Sequence, residues 1–267
     1  MSKLNQVKIL VTRPAHQSEH LCQLIEAEGG LPVRLPAIEI VEIDDKSVLL
    51  DCRAHINQLD MAIFVSVNAV EKSLPILSQS LTAMTSPPLQ LIAIGQRTAK
   101  ALQAWGLTPL CPQPPFDSEA LLKMPQTESL SGKNIVIFRG QGGRELLAET
   151  LRQRGATVNY INTYRRRQPV TPAWITEIQV DIVTATSVES LGNLFAMLDG
   201  HYWLYHTPLV VFSERVADKA RRLGVQAPIL TAPFASDEGL LIALLQAHQN
   251  GLDRKPCSKS FYFGQEG

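Results

Sequence analysis

The sequence predicts an α/β protein with two similar lobes, each a parallel sheet flanked by helices. Short apolar runs rich in Val and Ile alternate with segments of helical period, which is typical of parallel strands joined by crossover helices. These strand–helix segments recur in the same order in the second half of the chain, which indicates an internal duplication. Two such lobes would enclose a cleft, where α/β folds of this kind bind ligands.

The order of elements follows from the apolar runs and from the helical pattern between them. The predicted strands lie near 7–12, 31–35, 61–65, 90–94, 134–138, 157–161, 181–185, 209–212 and 228–231. The predicted helices span 16–28, 68–79, 96–105, 117–123, 143–154, 187–198, 214–223 and 235–248. In the helix over 143–154 we expect a buried stripe, which the sequence places at Leu146, Leu147, Thr150 and Leu151. Gly155 then ends that helix.

The internal duplication is visible in three strand–helix cassettes. The first begins at Ile9 and closes at Gly29, and its counterpart begins at Ile135 and closes at Gly155, in both cases 126 residues later. The second pairs residues 60–66 with residues 181–187, and the third pairs the segment from Gly95 to Ser118 with the segment from Ser213 to Ser236. Three cassettes that recur in the same order, with an offset that drifts slowly, predict two similar α/β lobes in one chain.

Two segments interrupt the alternation and occupy equivalent places in the repeat. Residues 35–40 carry a proline inside an extended pattern, and residues 160–167 are extended before a basic run. We interpret both as crossings of the chain from one lobe to the other. The polar tail from about residue 250 lacks any pattern, and we expect it to be mobile.

Composition narrows the classes of function. Lys and Arg number 25, as do Asp and Glu, so a neutral chain without a broad basic field argues against nucleic-acid and membrane-surface binding. The sequence contains no run of about 20 apolar residues, so we predict no membrane span. The four scattered cysteines and an N-terminus that leads straight into a strand favour a cytoplasmic protein without a signal peptide. We expect a monomer.

Polar and glycine residues gather where predicted strands end and helices begin. Such positions meet along one edge of a parallel sheet, and helix N-termini there bind anions through unpaired N–H groups. A single Ser or Thr at such a place is usually a plain helix cap. Their recurrence in both lobes predicts a site for a ligand with many anionic groups. The candidate substrate-binding residues are Thr12, Arg13, Ser66, Asn68, Thr98, Arg139, Gly140, Gly142, Arg144, Thr186, Ser187, Ser213 and Ser236.

Several alternatives stay open for individual motifs. The glycine-rich run 139–144 lacks the Gly-Lys-Ser/Thr ending of a P-loop, so its glycines favour close backbone approach over nucleotide binding. Arg13 and Arg139 are equivalent in the repeat and suit carboxylate binding, with an ion pair between the lobes as the competing interpretation. His16 and His20 have metal-ligand spacing without a third ligand, so we predict no metal site. Tyr164, at a crossing, carries a phenol that can donate a proton to a ligand.

Eight short motifs, in order, resemble the uroporphyrinogen-III synthase family. The resemblance runs from residue 9 to about residue 245. Its carriers are LVTRP at 10–14, FVSVNAV at 64–70, AIGQRTA at 93–99, DSEALL at 117–122, RGQGGRELL at 139–147, RGA at 154–156, YRR at 164–166 and ASDEGLL at 235–241. Each motif is loose by itself, and the order and spacing of all eight carry the resemblance.

The resemblance implies a division of the chain that agrees with the two crossings. One lobe would comprise residues 1–35 and 170–249, and the other residues 39–164. The connection would be a two-stranded linker at 36–38 and 165–169, followed by a mobile tail at 250–267.

The resemblance also implies a cofactor-free lyase of tetrapyrrole biosynthesis. Its substrate would be hydroxymethylbilane, a polyanionic linear tetrapyrrole that closes with inversion of ring D and loss of water. Tyr164 matches the family's tyrosine that assists departure of water, and Thr98 matches a first-lobe threonine, whereas Val216 stands where many members carry a second threonine. The partners implied are this small molecule and transiently the preceding pathway enzyme. The competing class is a non-catalytic two-lobe module that binds a small anion, and a nucleotide-dependent enzyme ranks third.

Overall fold

The computed structural model describes residues 3–82, 88–143, 145–199 and 201–252. The strands are β1 (Lys8–Val11), β2 (Leu31–Arg34), β3 (Glu39–Glu42), β4 (Met61–Phe64), β5 (Gln90–Ala93), β6 (Asn134–Gly140), β7 (Thr157–Arg167), β8 (Ile182–Ala185), β9 (Leu209–Val211) and β10 (Ile229–Thr231). The helices are α1 (Ala15–Ala27), α2 (Ser47–Ala54), α3 (Val67–Thr82), α4 (Gln96–Gln103), α5 (Ser118–Leu121), α6 (Leu146–Gln153), α7 (Val188–Met197), α8 (Tyr202–His206), α9 (Glu214–Arg222) and α10 (Asp237–Gln249). Within these ranges no helix is long and apolar enough to cross a membrane.

The chain divides into two compact units. Unit 1 comprises Met1–Glu39 and Arg167–Gly267, and unit 2 comprises Ile40–Arg166. The two boundaries therefore fall inside β3 and near the end of β7, which are neighbours in the sheet of unit 2. The tail expected to be mobile at 250–267 lies outside the described residues from position 253 onward.

Unit 1 is built on a five-stranded sheet with the order β10-β9-β8-β1-β2. The pairings along this order are parallel. Successive residues of β1 alternate between two apolar cores: Leu10 packs in one, and Ile9 and Val11 pack in the other. A strand with a core on each face must be apolar throughout, which is why it reads as a continuous hydrophobic run.

Unit 2 is built on a second five-stranded sheet, with the order β3-β7-β6-β4-β5. The pairings of β7 with β6, β6 with β4 and β4 with β5 are parallel. Phe64 and Phe138 stack with their ring centroids 4.6 Å apart in one of its two cores. An isolated parallel bridge joins Ile92 to Leu110 beyond β5.

The two sheets share one topology under the predicted repeat. The order β2-β1-β8-β9-β10 in unit 1 corresponds to β7-β6-β4-β5 and the Leu110 bridge in unit 2. An aspartate before the central strand makes the same contact in both units. Asp181 Oδ2 accepts a hydrogen bond from the Lys8 N–H at 2.8 Å, and Asp60 Oδ2 accepts one from the Asn134 N–H at 2.8 Å. This equivalence supports the duplication inferred from the sequence.

All nine predicted strands are present, so the prediction of an α/β fold with parallel sheets is confirmed. Two strands are longer than predicted, since β6 reaches Gly140 and β7 reaches Arg167. The eight predicted helices are also present, whereas β3, α2 and α8 lie where no regular element was predicted.

The prediction for the helix over 143–154 was wrong in detail. The helix begins at Leu146, and its buried residues are Leu147, Ala148 and Leu151. Leu146 is exposed, because it stands at the first helical position on the solvent side. Thr150 instead donates its hydroxyl to the Leu146 carbonyl at 2.8 Å, as threonines on a helix surface often do. Gly155 ends the helix with φ of 92°, as predicted.

Candidate functional site

A pocket of about 450 Å³ lies where strands of unit 2 end. The ends of β4 and β6 and the middle of β7 contribute to it, together with the loops that lead into α3, α5 and α6. It is lined by Val65, Ser66, Ile94, Asp117, Ser118, Glu119, Ile137, Arg139, Gly140, Gln141, Gly142, Gly143, Leu147, Tyr160, Tyr164 and Arg166. Five of the predicted site residues therefore share one pocket: Ser66, Arg139, Gly140, Gly142 and Tyr164.

Tyr164 is buried at the base of this pocket, with 2% of its surface exposed. Its hydroxyl shares a hydrogen bond of 3.1 Å with the Ser66 hydroxyl, which also accepts the Ala69 N–H at 3.1 Å near the start of α3. The helix start thus fixes Ser66, and Ser66 fixes the phenol. A Cβ on Gly140 would lie 2.6 Å from the Tyr164 ring, so only glycine allows the ring this position.

The position of Tyr164 depends on an irregularity in β7. Arg139 pairs with Asn162, but the next residue, Gly140, pairs with Tyr164, so one residue of β7 is extra. Such a bulge changes which face of a sheet the following side chains occupy. Tyr160 and Tyr164 are four residues apart and would share a face in a regular strand. Here they pack in different cores, and both still reach the pocket.

Arg139 brings a buried positive charge to the same pocket. Its guanidinium lies 4.2 Å from the centroid of the Tyr160 ring, and its Nε donates to the Gly140 carbonyl at 3.2 Å. Its Nη1 donates to Glu145 Oε1 at 3.1 Å. The cation is therefore held by a π face, a carbonyl and a carboxylate.

Tyr160 and Glu145 perturb each other's ionisation. The Tyr160 hydroxyl is buried, and no described residue lies at the distance and angle of a hydrogen bond to it. It is nevertheless close enough to Glu145 to stabilise the negative charge of that carboxylate. That hydroxyl, followed by the Arg139 guanidinium, lowers the pKa of Glu145 despite the opposing effect of desolvation. Burial, followed by the Glu145 charge, raises the pKa of Tyr160. At neutral pH the carboxylate is charged and the phenol is neutral.

Of the predicted residues of unit 2, Gly142 belongs to the loop that lines the pocket, two others are buried in helices, and one lies outside the described residues. Gly142 and its neighbour Gly143 have φ of 79° and 111°, which explains the glycines of this loop. Arg144 lies outside the described residues. Asn68 and Thr98 are buried within α3 and α4, and neither lines the pocket. Their substrate-binding roles stay predictions.

In unit 1, Thr12 and Arg13 follow the end of β1 and are buried. The Thr12 hydroxyl donates to the Thr184 carbonyl at 2.7 Å and so links β1 to β8. Arg13 pairs with the carboxylate of Asp237 in the first turn of α10, and the two side chains are 5% and 7% exposed. Both residues belong to unit 1, so this ion pair lies within one unit. Carboxylate binding by Arg13 stays a prediction, and its guanidinium already has a buried partner.

The other predicted residues of unit 1 stand at the starts of helices that follow strands of its sheet. Ser187 caps α7 and accepts the Ser190 N–H at 3.0 Å, and Ser236 caps α10 and accepts the Gly239 N–H at 3.2 Å. Ser213 occupies the cap position of α9 without such a bond, and Thr186 precedes Ser187. The interpretation as helix caps thus holds for Ser187 and Ser236, and ligand binding by these four residues stays a prediction.

His16 and His20 are both exposed on α1. His20 places Nδ1 3.0 Å from Oδ2 of Asp237, so that this carboxylate lies between Arg13 and His20. Across residues 3–82, 88–143, 145–199 and 201–252, no three His, Cys, Asp or Glu side chains gather as metal ligands.

The sequence analysis did not identify Tyr160, which lines the pocket, or Glu145, which is paired with Arg139. A signal for Glu145 was present, since it directly follows the glycine-rich run. Tyr160 gave no separate signal, because a tyrosine four residues before Tyr164 predicts a shared strand face and no contact with an arginine of the neighbouring strand.

Comparisons with known proteins agree on one family. A family model described as uroporphyrinogen-III synthase HemD matches residues 19–241. The uroporphyrinogen-III synthases of Escherichia coli and Salmonella typhimurium are each 35% identical over 248 residues, which cover 89% of this chain and all of each relative. The fold resembles a mutant uroporphyrinogen III synthase of Thermus thermophilus, with a TM-score of 0.58, 19% identity, and coverage of 93% of this chain and 100% of the other. It also resembles the enzyme of Helicobacter pylori, with a TM-score of 0.57, 14% identity, and coverage of 90% and 99%.

Proposed function

The chain belongs to the uroporphyrinogen-III synthase family, and we propose that it catalyses the closure of hydroxymethylbilane to uroporphyrinogen III. In this reaction a linear tetrapyrrole with eight carboxylates loses water and closes with its last ring inverted. The enzyme is thus a cyclising lyase. No cofactor is required, because the leaving group is water and the nucleophile is a pyrrole carbon of the substrate itself.

One observation carries the proposal: a phenol and a guanidinium open into the same pocket at the ends of parallel strands. Tyr164 supplies an O–H group held by Ser66, and Arg139 supplies a buried cation. A proton donor near a carboxylate-binding group is what a substrate with a leaving hydroxyl and acidic side chains requires. The glycine-rich loop lines part of the pocket with backbone, and because its glycines carry no side chains a ligand can approach that backbone closely.

The chemistry follows from this arrangement. The substrate hydroxyl leaves as water when Tyr164 donates a proton or a hydrogen bond to it, and the C–O bond breaks to give an azafulvene at ring A. Ring D attacks through its substituted carbon and forms a spiro intermediate, which fragments and closes again in the opposite orientation. The final closure releases a proton from the attacking carbon, and this proton restores the phenol.

Much of the catalysis is conformational control. The simple closure, which gives the type I isomer, proceeds without an enzyme, so the protein must hold the bilane curled and favour attack through the substituted carbon. Binding several carboxylates at fixed places restricts the chain in this way. The groups that we propose for these contacts in unit 1 are Thr12, Arg13, Thr186, Ser187, Ser213 and Ser236. Those in unit 2 are Ser66, Asn68, Thr98, Arg139, Gly140, Gly142 and Arg144.

The test is the identity of the porphyrin isomer. The purified protein is incubated with hydroxymethylbilane, the products are oxidised, and the type I and type III porphyrins are separated by chromatography. We expect type III product in excess of the type I background. Type I product alone, at the rate of the buffer control, would contradict the proposal and favour a module that binds a small anion without turning it over.

The expected monomeric state and cytoplasmic location are part of the same proposal. The location is supported by the free, buried thiols of Cys22 and Cys52, which a reducing compartment preserves. Burial raises the pKa of Cys52 to about 11, which keeps that thiol protonated and unreactive.

A further inference from the structure

Two arginines at equivalent places in the repeat are paired in different ways. Arg13 and its partner Asp237 are both almost wholly buried. The Arg139 side chain is 9% exposed, whereas that of its partner Glu145 is 49% exposed. Breaking the Arg13 pair would separate two opposite charges inside the protein, which is costly. Breaking the Arg139 pair would return the carboxylate to water.

We propose that Glu145 is an internal competitor for the carboxylate site of Arg139. It occupies the guanidinium in the free protein, and a carboxylate of the bound tetrapyrrole displaces it. This inference rests on the proposed function and adds to it a residue that determines which ligands the pocket accepts.

The Arg139 guanidinium is held in place by contacts that do not involve Glu145. The Arg139 guanidinium rests on the Tyr160 ring at 4.2 Å, and its Nε donates to the Gly140 carbonyl at 3.2 Å. Neither contact involves Glu145, so both can persist when Glu145 leaves. The guanidinium therefore stays oriented to donate hydrogen bonds to an incoming carboxylate.

The Glu145 side chain can rotate away from Arg139. Glu145 stands at the cap position of α6, but its side chain makes no capping hydrogen bond, so its rotation costs the helix no backbone contact. The residue itself is exposed, and its carboxylate is well hydrated once released. The Tyr160 hydroxyl near it is buried, and the Tyr160 ring is partly buried and lines the pocket.

The consequence is selectivity for ligands with several carboxylates. A monocarboxylate must displace Glu145 with the energy of one ion pair and gains little from the exchange. A tetrapyrrole with eight carboxylates makes further contacts, which offset the loss of the internal pair. Glu145 thus lowers the affinity for every anion, and weakly bound anions are excluded first.

The test compares the binding of uroporphyrin III, the stable oxidised octacarboxylate, by fluorescence titration. Glu145→Gln should lower its Kd about three- to tenfold, because the competing charge is removed. Glu149→Gln is the matched control, since Glu149 lies about one turn further along α6 and is exposed. It removes the same charge and should change Kd less than about twofold. In an Arg139→Gln background, Glu145→Gln should lose its effect.

Kinetics with hydroxymethylbilane provide a second readout. Glu145→Gln should lower KM by a similar factor and leave kcat within about twofold, since Glu145 is displaced before the chemistry. An unchanged or raised Kd in Glu145→Gln, or equal effects of Glu145→Gln and Glu149→Gln, would overturn the inference. If the wild-type protein still makes the type III isomer in that case, the inference alone has failed. If it makes only type I, the proposed function has failed.

Discussion

The Tyr164 hydroxyl is buried, yet it adjoins the pocket and has a defined neighbour in Ser66. Burial of the ring among apolar side chains fixes where the hydroxyl lies, and the hydrogen bond with Ser66 fixes how it points. A group positioned in this way loses little freedom when it donates to a substrate. This is the physical reason to assign the proton donor to Tyr164 rather than to the exposed histidines.

Replacing Tyr164 by phenylalanine should lower kcat about 10- to 1,000-fold, the range expected when a positioned acid is lost. The fold should be retained, because the ring still fills its place beside Phe138 and Ile161. The isomer assay measures the rate, and circular dichroism checks the fold. Tyr205→Phe is the control: Tyr205 packs edge-on against Phe195 in unit 1, and its variant should keep full turnover. Equal turnover in wild type and Tyr164→Phe would remove Tyr164 from the mechanism.

Gly140 should be intolerant of any side chain. An added Cβ would lie 2.6 Å from ring atoms of Tyr164 and 3.0 Å from its hydroxyl, so Gly140→Ala must displace the phenol. We expect turnover to fall at least as far as in Tyr164→Phe, with a loss of about 1–3 kcal/mol in the free energy of unfolding from overpacking. Activity and urea unfolding measure the two effects.

Gly132→Ala is the control for Gly140→Ala, because it introduces backbone strain without displacing the Tyr164 phenol. Gly132 has φ of 72°, and an added Cβ there meets no atom within 4 Å. This variant should cost about 1 kcal/mol of stability through backbone strain and should keep its activity. Comparable loss of activity in both variants would mean that Gly140 acts through stability alone.

At the scale of elements, Asp60 ties β4 to the start of β6. Its carboxylate accepts a hydrogen bond from the Asn134 N–H at 2.8 Å and one from Lys133 Nζ at 2.8 Å. Lys133, followed by the Asn134 amide, lowers the pKa of Asp60. Because the pKa is lower in the folded state, ionised Asp60 stabilises the fold above the unfolded pKa of about 3.9. That contribution is lost as the pH falls through the folded pKa.

Asp60→Asn should therefore lower the free energy of unfolding by about 1–2 kcal/mol at pH 7. The difference from wild type should shrink as the pH falls below about 4, where the wild-type carboxyl also becomes neutral. Urea unfolding at several pH values measures this. Asp51→Asn is the control, because Asp51 forms an exposed i,i+4 pair with His55. It should lower the free energy of unfolding by less than about 0.5 kcal/mol at every pH tested. A constant difference at all pH values would contradict the ionic origin.

The sequence predicted β1, β4 and β6 well, because successive residues of these strands pack in apolar cores on both faces of their sheets. It could not predict the bulge in β7, since the extra residue is defined only by the pairing with β6. The helix α2 was missed because only Leu49 and Cys52 of its eight residues are buried, which leaves little periodic signal. The partner of Arg13 was also beyond prediction, because Asp237 is 224 positions away and is brought close only by the fold.

At the scale of the whole molecule, the described residues form four apolar cores, and each of these lies within one unit. Two of them pack on the faces of the sheet in unit 1, and two on the faces of the sheet in unit 2. Hydrophobic burial in these cores, the main stabilising contribution, is therefore divided between the two units. Cores of this kind are the basis of separate unfolding transitions in proteins with more than one domain.

We expect core substitutions to act on one unit at a time. Leu74 in α3 and Leu191 in α7 are both fully buried, the first in unit 2 and the second in unit 1. Truncation of either to alanine should cost about 2–5 kcal/mol. Hydrogen exchange followed by mass spectrometry should show faster exchange in unit 2 for Leu74→Ala and in unit 1 for Leu191→Ala. If either variant accelerates exchange equally in both units, the cores are energetically coupled and the molecule unfolds as one body.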